Sequence, residues 1–226
     1  MKISKKYVVL FCLFIVPLLF YIFLQMGTNN FGKLPVVVKE VIDVSNVDKA
    51  FQFKGKVSVV TFVGSDSIAS HGEIYNLNEK IYKKFYGYTD FQMIALVEKG
   101  YEKNTEKIKK RLSLSTNMVK WNFIYASKAE LEAIFQSFKT TGSLDDNAHS
   151  SKAFIIDKED NLRRGKSTIK SQKDKKLFGY DMNSVAELKN DMHDDVKVVL
   201  AEYSFALKKN RNSDERRKNS ISNEKN

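Results

Sequence analysis

The chain has 226 residues, 42% of them hydrophobic with 16 Phe, which is apolar material for one domain with a buried core. Its net charge is +11, but Lys2, Lys5 and Lys6 supply +3 and residues 208–226 a further +4; the middle carries only +4, so no nucleic-acid groove is expected. The single cysteine, Cys12, lies in an apolar run, which excludes disulfides, cysteine-based zinc sites and thiol catalysis from the rest of the chain.

Residues 7–26 are uncharged and apolar, long enough as a helix to cross a hydrocarbon core of about 30 Å. The run is longer than the apolar part of a removable signal peptide, and the following G-T-N-N-F-G holds no small-x-small cleavage site. Bulky Leu10 and Phe11 before Cys12 do not suit a lipoprotein cleavage box. An uncleaved anchor with a bend at Pro17 is predicted. The lysines before it keep residues 1–6 cytoplasmic and send the rest across. In a bacterium this means a single pass through the inner membrane, with the domain in the periplasm.

Residues 27–34 read as a linker, 35–207 as the exported domain, and 208–226 as a basic tail without apolar anchors, expected to be disordered. V-V-V-K-E-V-I-D-V is a strand or an irregular lead-in. Val57 to Phe62 form a β-branched apolar run, the signature of a central buried strand. Ile74, Leu77, Ile81 and Phe85 are spaced as one helix face, with Ser70 and Glu73 as a capping box. A strand over 91–97, a helix over 104–112 and a strand over 121–125 follow. Ser127 and Glu130 cap the next helix. Strand 152–157, a turn and Leu162-Arg163-Arg164 form a hairpin. Residues 165–178 read as an exposed Lys-rich insertion. Ser184 and Glu187 open a last helix with Val185, Leu188, Met192, Val196, Val199 and Tyr203 on one face. Strands separated by helices give a parallel core, and the hairpin adds an antiparallel edge. The expected fold is α/β, a thioredoxin-like mixed sheet flanked by helices.

Four stretches in order resemble the Sco/SenC family over residues 34–203: G-K-V-S-V-V-T-F-V-G-S-D-S-I-A-S, the helix–W-N-F–helix segment 103–135, N-A-H-S-S-K-A-F-I-I-D with K-E-D-N-L-R-R, and Y-D-M-N-S-V-A-E-L-K-N-D-M. The family comprises membrane-anchored thioredoxin-fold proteins of copper delivery and thiol chemistry in cytochrome oxidase assembly. The resemblance puts the family's two cysteines on Ser65 and Ala69, the adjoining prolines on Asp66 and Ser70, its histidine on His149, and its aspartate-proline stretch on residues 98–104.

Both sulfurs are therefore replaced. Cu(I) selects soft ligands, a serine hydroxyl stays protonated near neutral pH, and disulfide exchange needs a thiolate. The expected function is a non-catalytic binding or assembly factor related to oxidase biogenesis, with a protein partner on the exported side, no enzyme activity and no cofactor. The alternative is weak Cu(II) or Zn(II) binding at His149 with His71 and a carboxylate such as Asp66 or Glu73. Ser65 follows Gly64 without a second glycine, so no nucleophile elbow is formed, and no group is evident to orient His149 against a serine. His193 is expected on the solvated face of the last helix.

Overall fold

The computed structural model describes residues 5–26, 32–65, 70–173 and 175–204. The chain divides into two units, one up to Gly32 and one from Lys33 onward. The first is the helix α1, Lys5–Met26, with Pro17 inside it and exposed apolar side chains including Phe11, Phe14 and Phe23. Among the described residues no helix is long and apolar enough to cross a membrane; the side chains at 7, 8 and 24–26 of α1 lie outside that description. Residues 1–4, most of the linker and the tail also lie outside the described residues.

The second unit is a seven-stranded sheet: β1 (Val36–Val38), β2 (Val57–Gly64), β3 (Phe91–Glu98), β4 (Trp121–Ala126), β5 (Ser150–Ile156), β6 (Leu162–Arg163) and β7 (Tyr180–Asp181). The order is β1-β6-β5-β2-β3-β4. β2, β3 and β4 are parallel, because a helical crossover joins β2 to β3 and another joins β3 to β4. β5 runs antiparallel to β2, and β6 and β7 take successive halves of its other edge. The helices are α2 (70–85), α3 (Glu102–Ser113), α4 (Lys128–Ser137) and α5 (185–204). The fold is thioredoxin-like. All eight residues of β2 are buried, as its apolar run predicts. Val57, Val59 and Val63 face the cluster built with α2 and α5, while Val60 and Phe62 face the aromatic cluster under α4. The predicted capping box on α4 is present: Ser127 accepts from Glu130 N, and Glu130 reaches back to Ser127 N.

Several details depart from expectation. α2 and α5 each contain a π turn, Asn78–Tyr82 and Glu187–Met192. A π turn inserts one extra residue and rotates the apolar stripe by roughly 100°. Val185, placed before the turn, therefore stands 42% exposed, while Leu188, Met192, Val196 and Val199 are fully buried. Leu34 belongs to the domain rather than to a linker, since its side chain is in the core and its N–H donates to Glu202 Oε1 at 2.6 Å. The 165–178 insertion exposes its lysines but is pinned: Ser167 Oγ donates to Asp191 Oδ2 at 2.7 Å, and Thr168 N and Oγ1 to Asp191 Oδ1. Beneath it the buried Arg164 stacks on the Tyr180 ring at 3.9 Å and pairs with Glu187 at 2.9 Å and Asp195 at 3.5 Å. The two-residue strand β7, too short for periodicity to reveal, joins the sheet here.

Candidate functional site

β2 ends at Gly64, where φ is +63° and an added Cβ would come within 2.0 Å of the Asn147 carbonyl oxygen. Only glycine allows so close an approach. The contact continues at Ser65, whose N–H donates to the same oxygen at 2.8 Å and whose hydroxyl lies 3.3 Å from both Asn147 O and Oδ1. The opposing loop is self-supporting. Asp145 Oδ1 accepts from the N–H groups of Asn147 (2.9 Å) and His149 (2.8 Å), and Ala148 takes the left-handed φ of +54°.

This loop delivers His149 to the first turn of α2. His149 Nε2 meets Glu73 Oε2 at 2.7 Å, and its Nδ1 lies 3.5 Å from Asp145 Oδ2. Glu73 Oε1 accepts from Asn183 Nδ2 at 2.7 Å. The side chains are nearly closed to solvent, 12% exposed for His149 and 5% for Glu73. The hydrogen bond to Glu73 raises the His149 pKa above its ordinary value, against the burial that pulls it down, with the Glu73 and Asp145 charges adding to the rise. The result is an imidazole between two carboxylates, one of them buried.

Ser70, the other half of the expected capping box, has its side chain outside the described residues. Both oxygens of Glu73 are committed across the fold, to His149 and Asn183. Ser65 and His149 are brought to the same loop, but Ser65 Oγ turns to Asn147 and His149 Nε2 to Glu73, so serine and imidazole are not paired for catalysis. Ala69 and Asp66 lie outside the described residues. His71 is half-buried on α2, and among the described residues no hydrogen bond joins it to His149. His193 is half-buried rather than solvated, with its ring 5.1 Å from Phe85 and its Nδ1 3.2 Å from Asp194 Oδ1. Sequence reasoning missed Asp145, Asn147 and Asn183. The D-D-N-A-H run carries an Asx-turn signature that points to the first two; nothing local marks Asn183.

The donors do not fit a soft metal ion. Nε2 of His149 is held by a carboxylate, the Ser65 hydroxyl is engaged with Asn147, and the nearby Met182 sulfur accepts the Thr61 hydroxyl at 3.2 Å. Among the described residues no group of three His, Cys, Asp or Glu is arranged to hold a metal.

No family model and no curated protein matches the chain. Solved structures similar to it include Sco-family and thioredoxin-family proteins. BsSco, a member of the Sco family of cytochrome c oxidase assembly proteins with a disulfide switch, is 14% identical, with 78% of this chain and 98% of that one covered at a TM-score of 0.44. A SCO1/SenC family lipoprotein from Bacillus anthracis is 12% identical, with 76% and 99% covered at 0.45. A thiol:disulfide interchange protein of the thioredoxin family from Chlorobium tepidum is 15% identical, with 75% and 99% covered at 0.44.

Proposed function

We propose that this chain is a Sco-like, membrane-anchored and exported protein that acts by binding a partner, in a role related to oxidase assembly, and not by thiol or copper chemistry. The observation that carries the reading is the state of the pocket. Where the Sco/SenC pattern has its first sulfur there is a serine tied to Asn147, and the matching histidine is closed off by Glu73 and Asp145. A thiolate is the nucleophile of disulfide exchange and the preferred ligand of Cu(I), and a hydroxyl supplies neither function. The anchor reading rests on the sequence, in which residues 7–26 are uncharged and apolar with Lys2, Lys5 and Lys6 before them.

Two assays on the purified full chain test this. Reduction of a model disulfide at any rate above background overturns the non-redox reading. Titration with Cu(I) and Cu(II) tests the alternative of a weak metal site, in which an ion displaces Glu73 from His149. Sub-micromolar binding abolished by His149→Ala would establish that alternative; weak binding that ignores the substitution supports the binding-only reading.

A further inference from the structure

Two connections meet at the end of the sheet opposite the 145–149 loop. Residues 86–90 lead into β3 and residues 114–120 into β4, at the N-terminal ends of these parallel strands. They are tied together there. Tyr82 Oη donates to the Asn117 carbonyl at 2.7 Å and accepts from Lys120 N at 3.0 Å, and Lys120 Nζ donates to the Tyr88 carbonyl. Asn78 Nδ2 adds a bond to Thr116 Oγ1 at 3.0 Å. This braced end holds apolar side chains in water: Leu114 is 84% exposed and Val119 69%, on either side of residues 115–118, and Tyr88 on the adjoining connection is half exposed. One exposed aliphatic side chain is ordinary, but two at one turn beside a tyrosine-bearing connection form a patch.

The charge in these segments has one sign. Residues 80–89 and 107–120 hold seven Lys and one Arg and no Asp or Glu. The acids that border them are engaged: Glu79 with Lys83, Glu106 with Lys109 at 3.7 Å and Asp90 with Lys158 at 2.5 Å, while Asp194 of α5 lies beside His193 at 3.2 Å. Glu102, at the far end of α3, accepts from Gly100 N. Lys84, Lys107, Lys110 and Arg111 are exposed and enter no ion pair among the described residues. Lys110 and Arg111 offset the negative end of the α3 dipole. That task needs neither Lys84 nor Lys107, and it does not account for the bare Leu114 and Val119. An anionic bilayer matches all three components. Its headgroups attract the cations, tyrosine rings favour the headgroup level, and lipid accepts protruding aliphatic side chains without a matching pocket.

We propose that residues 114–120 and the exposed cations at the end of α3 dock the domain on the surface of an anionic lipid bilayer, with Leu114 and Val119 entering the headgroup region. The proposal rests on the reading above that residues 7–26 anchor the chain, which keeps the domain within reach of a bilayer. The end of the sheet that carries His149 then faces away from the lipid. The test uses the full chain with Cys12→Ser and a single cysteine labelled with the fluorophore NBD, at Ser115→Cys or, as control, at Asp146→Cys in the opposite loop. Each is placed, one chain per particle, in nanodiscs of phosphatidylcholine alone or of phosphatidylcholine and phosphatidylglycerol in equal parts. The label at 115 should shift its emission to shorter wavelength in the anionic discs only, and added salt should reverse the shift. The label at 146 should stay as in water. Lys107→Gln/Lys110→Gln/Arg111→Gln should lose most of the shift, since each charge removed weakens docking about fivefold. Leu114→Ser/Val119→Ser should lose it as well, at unchanged thermal stability because both sites are exposed. No shift at 115, equal shifts at 115 and 146, equal shifts in the two lipid compositions, or a shift that survives the triple substitution would each overturn the docking assignment. A chain that stays out of the discs overturns the anchor reading and the docking with it; a chain that enters them without the shift removes the docking alone.

Discussion

Glu73→Gln removes one charge from the His149 pair while keeping the shape and the hydrogen-bonding reach of the side chain. The two charges are about 4 Å apart between centres, worth about 4 kcal/mol at an effective dielectric of about 20. Desolvating both groups offsets much of this, which leaves a net contribution of about 1–3 kcal/mol for a charge-assisted bond. Its pH dependence follows from the direction of the shift. The folded-state pKa of His149 lies above the ordinary value of 6.5. The stabilisation is therefore fully present below that value and is lost as pH rises through the folded pKa. Two-dimensional NMR of the imidazole resonances should show the His149 midpoint falling in Glu73→Gln. Urea unfolding should show a loss of about 1–3 kcal/mol near pH 5.5 and a smaller loss near pH 8.5. An unchanged His149 midpoint, or equal losses at both pH values, would refute the charged pair.

Gly64→Ala forces a Cβ against Asn147 at a positive φ and should cost about 3 kcal/mol or more in chemical denaturation, with the Ser65 amide resonance shifting as its bond to Asn147 breaks. Arg164→Met strands Glu187, Asp191 and Asp195 without their cation and should lower stability by about 3–5 kcal/mol; adding Glu187→Gln should restore part of it in the same urea assay. Burial, with the charge of Asp43 next, raises the Asp160 carboxyl to about 6, so the folded chain binds its proton more tightly than the unfolded chain does. That penalty is present above about pH 6 and disappears below the ordinary value of 3.8. Asp160→Asn, which tolerates the residue's φ of +60°, should stabilise by about 1 kcal/mol at neutral pH after solvent screening. It should give no gain at acid pH.

The elements that strong periodicity marks were legible in the sequence: β2 from its β-branched run, α4 from its capping box, α3 and β3 to within a residue or two. What escaped depends on contacts across the fold. The π turns change helix phase by one residue, which no stripe of apolar positions announces when both Ile81 and Tyr82 end up buried. Glu73 has a tertiary role that its local position does not announce, in its bonds to His149 and Asn183. Asn183 and β7 are placed by the packing of α5, and no local pattern encodes that. The position of His149 was legible only through its family resemblance; its two carboxylate neighbours were not, because the loop that presents one of them is shaped by backbone bonds to Asp145.

Gly64 and Ser65 clamp the end of β2 to the 145–149 loop, His149 carries the link to α2 through Glu73, and Glu73 passes it to the segment between β7 and α5 through Asn183. Three connections of the sheet are thus joined at one end by a chain of charged and polar bonds, of which the His149–Glu73 pair at the centre is nearly closed to solvent. The clamp borders a cavity along β5, whose lining includes both His149 and Asp145. Displacing the His149 imidazole from Glu73 by an uncharged group would leave a nearly buried carboxylate unpaired, which costs about 3–5 kcal/mol for a buried pair.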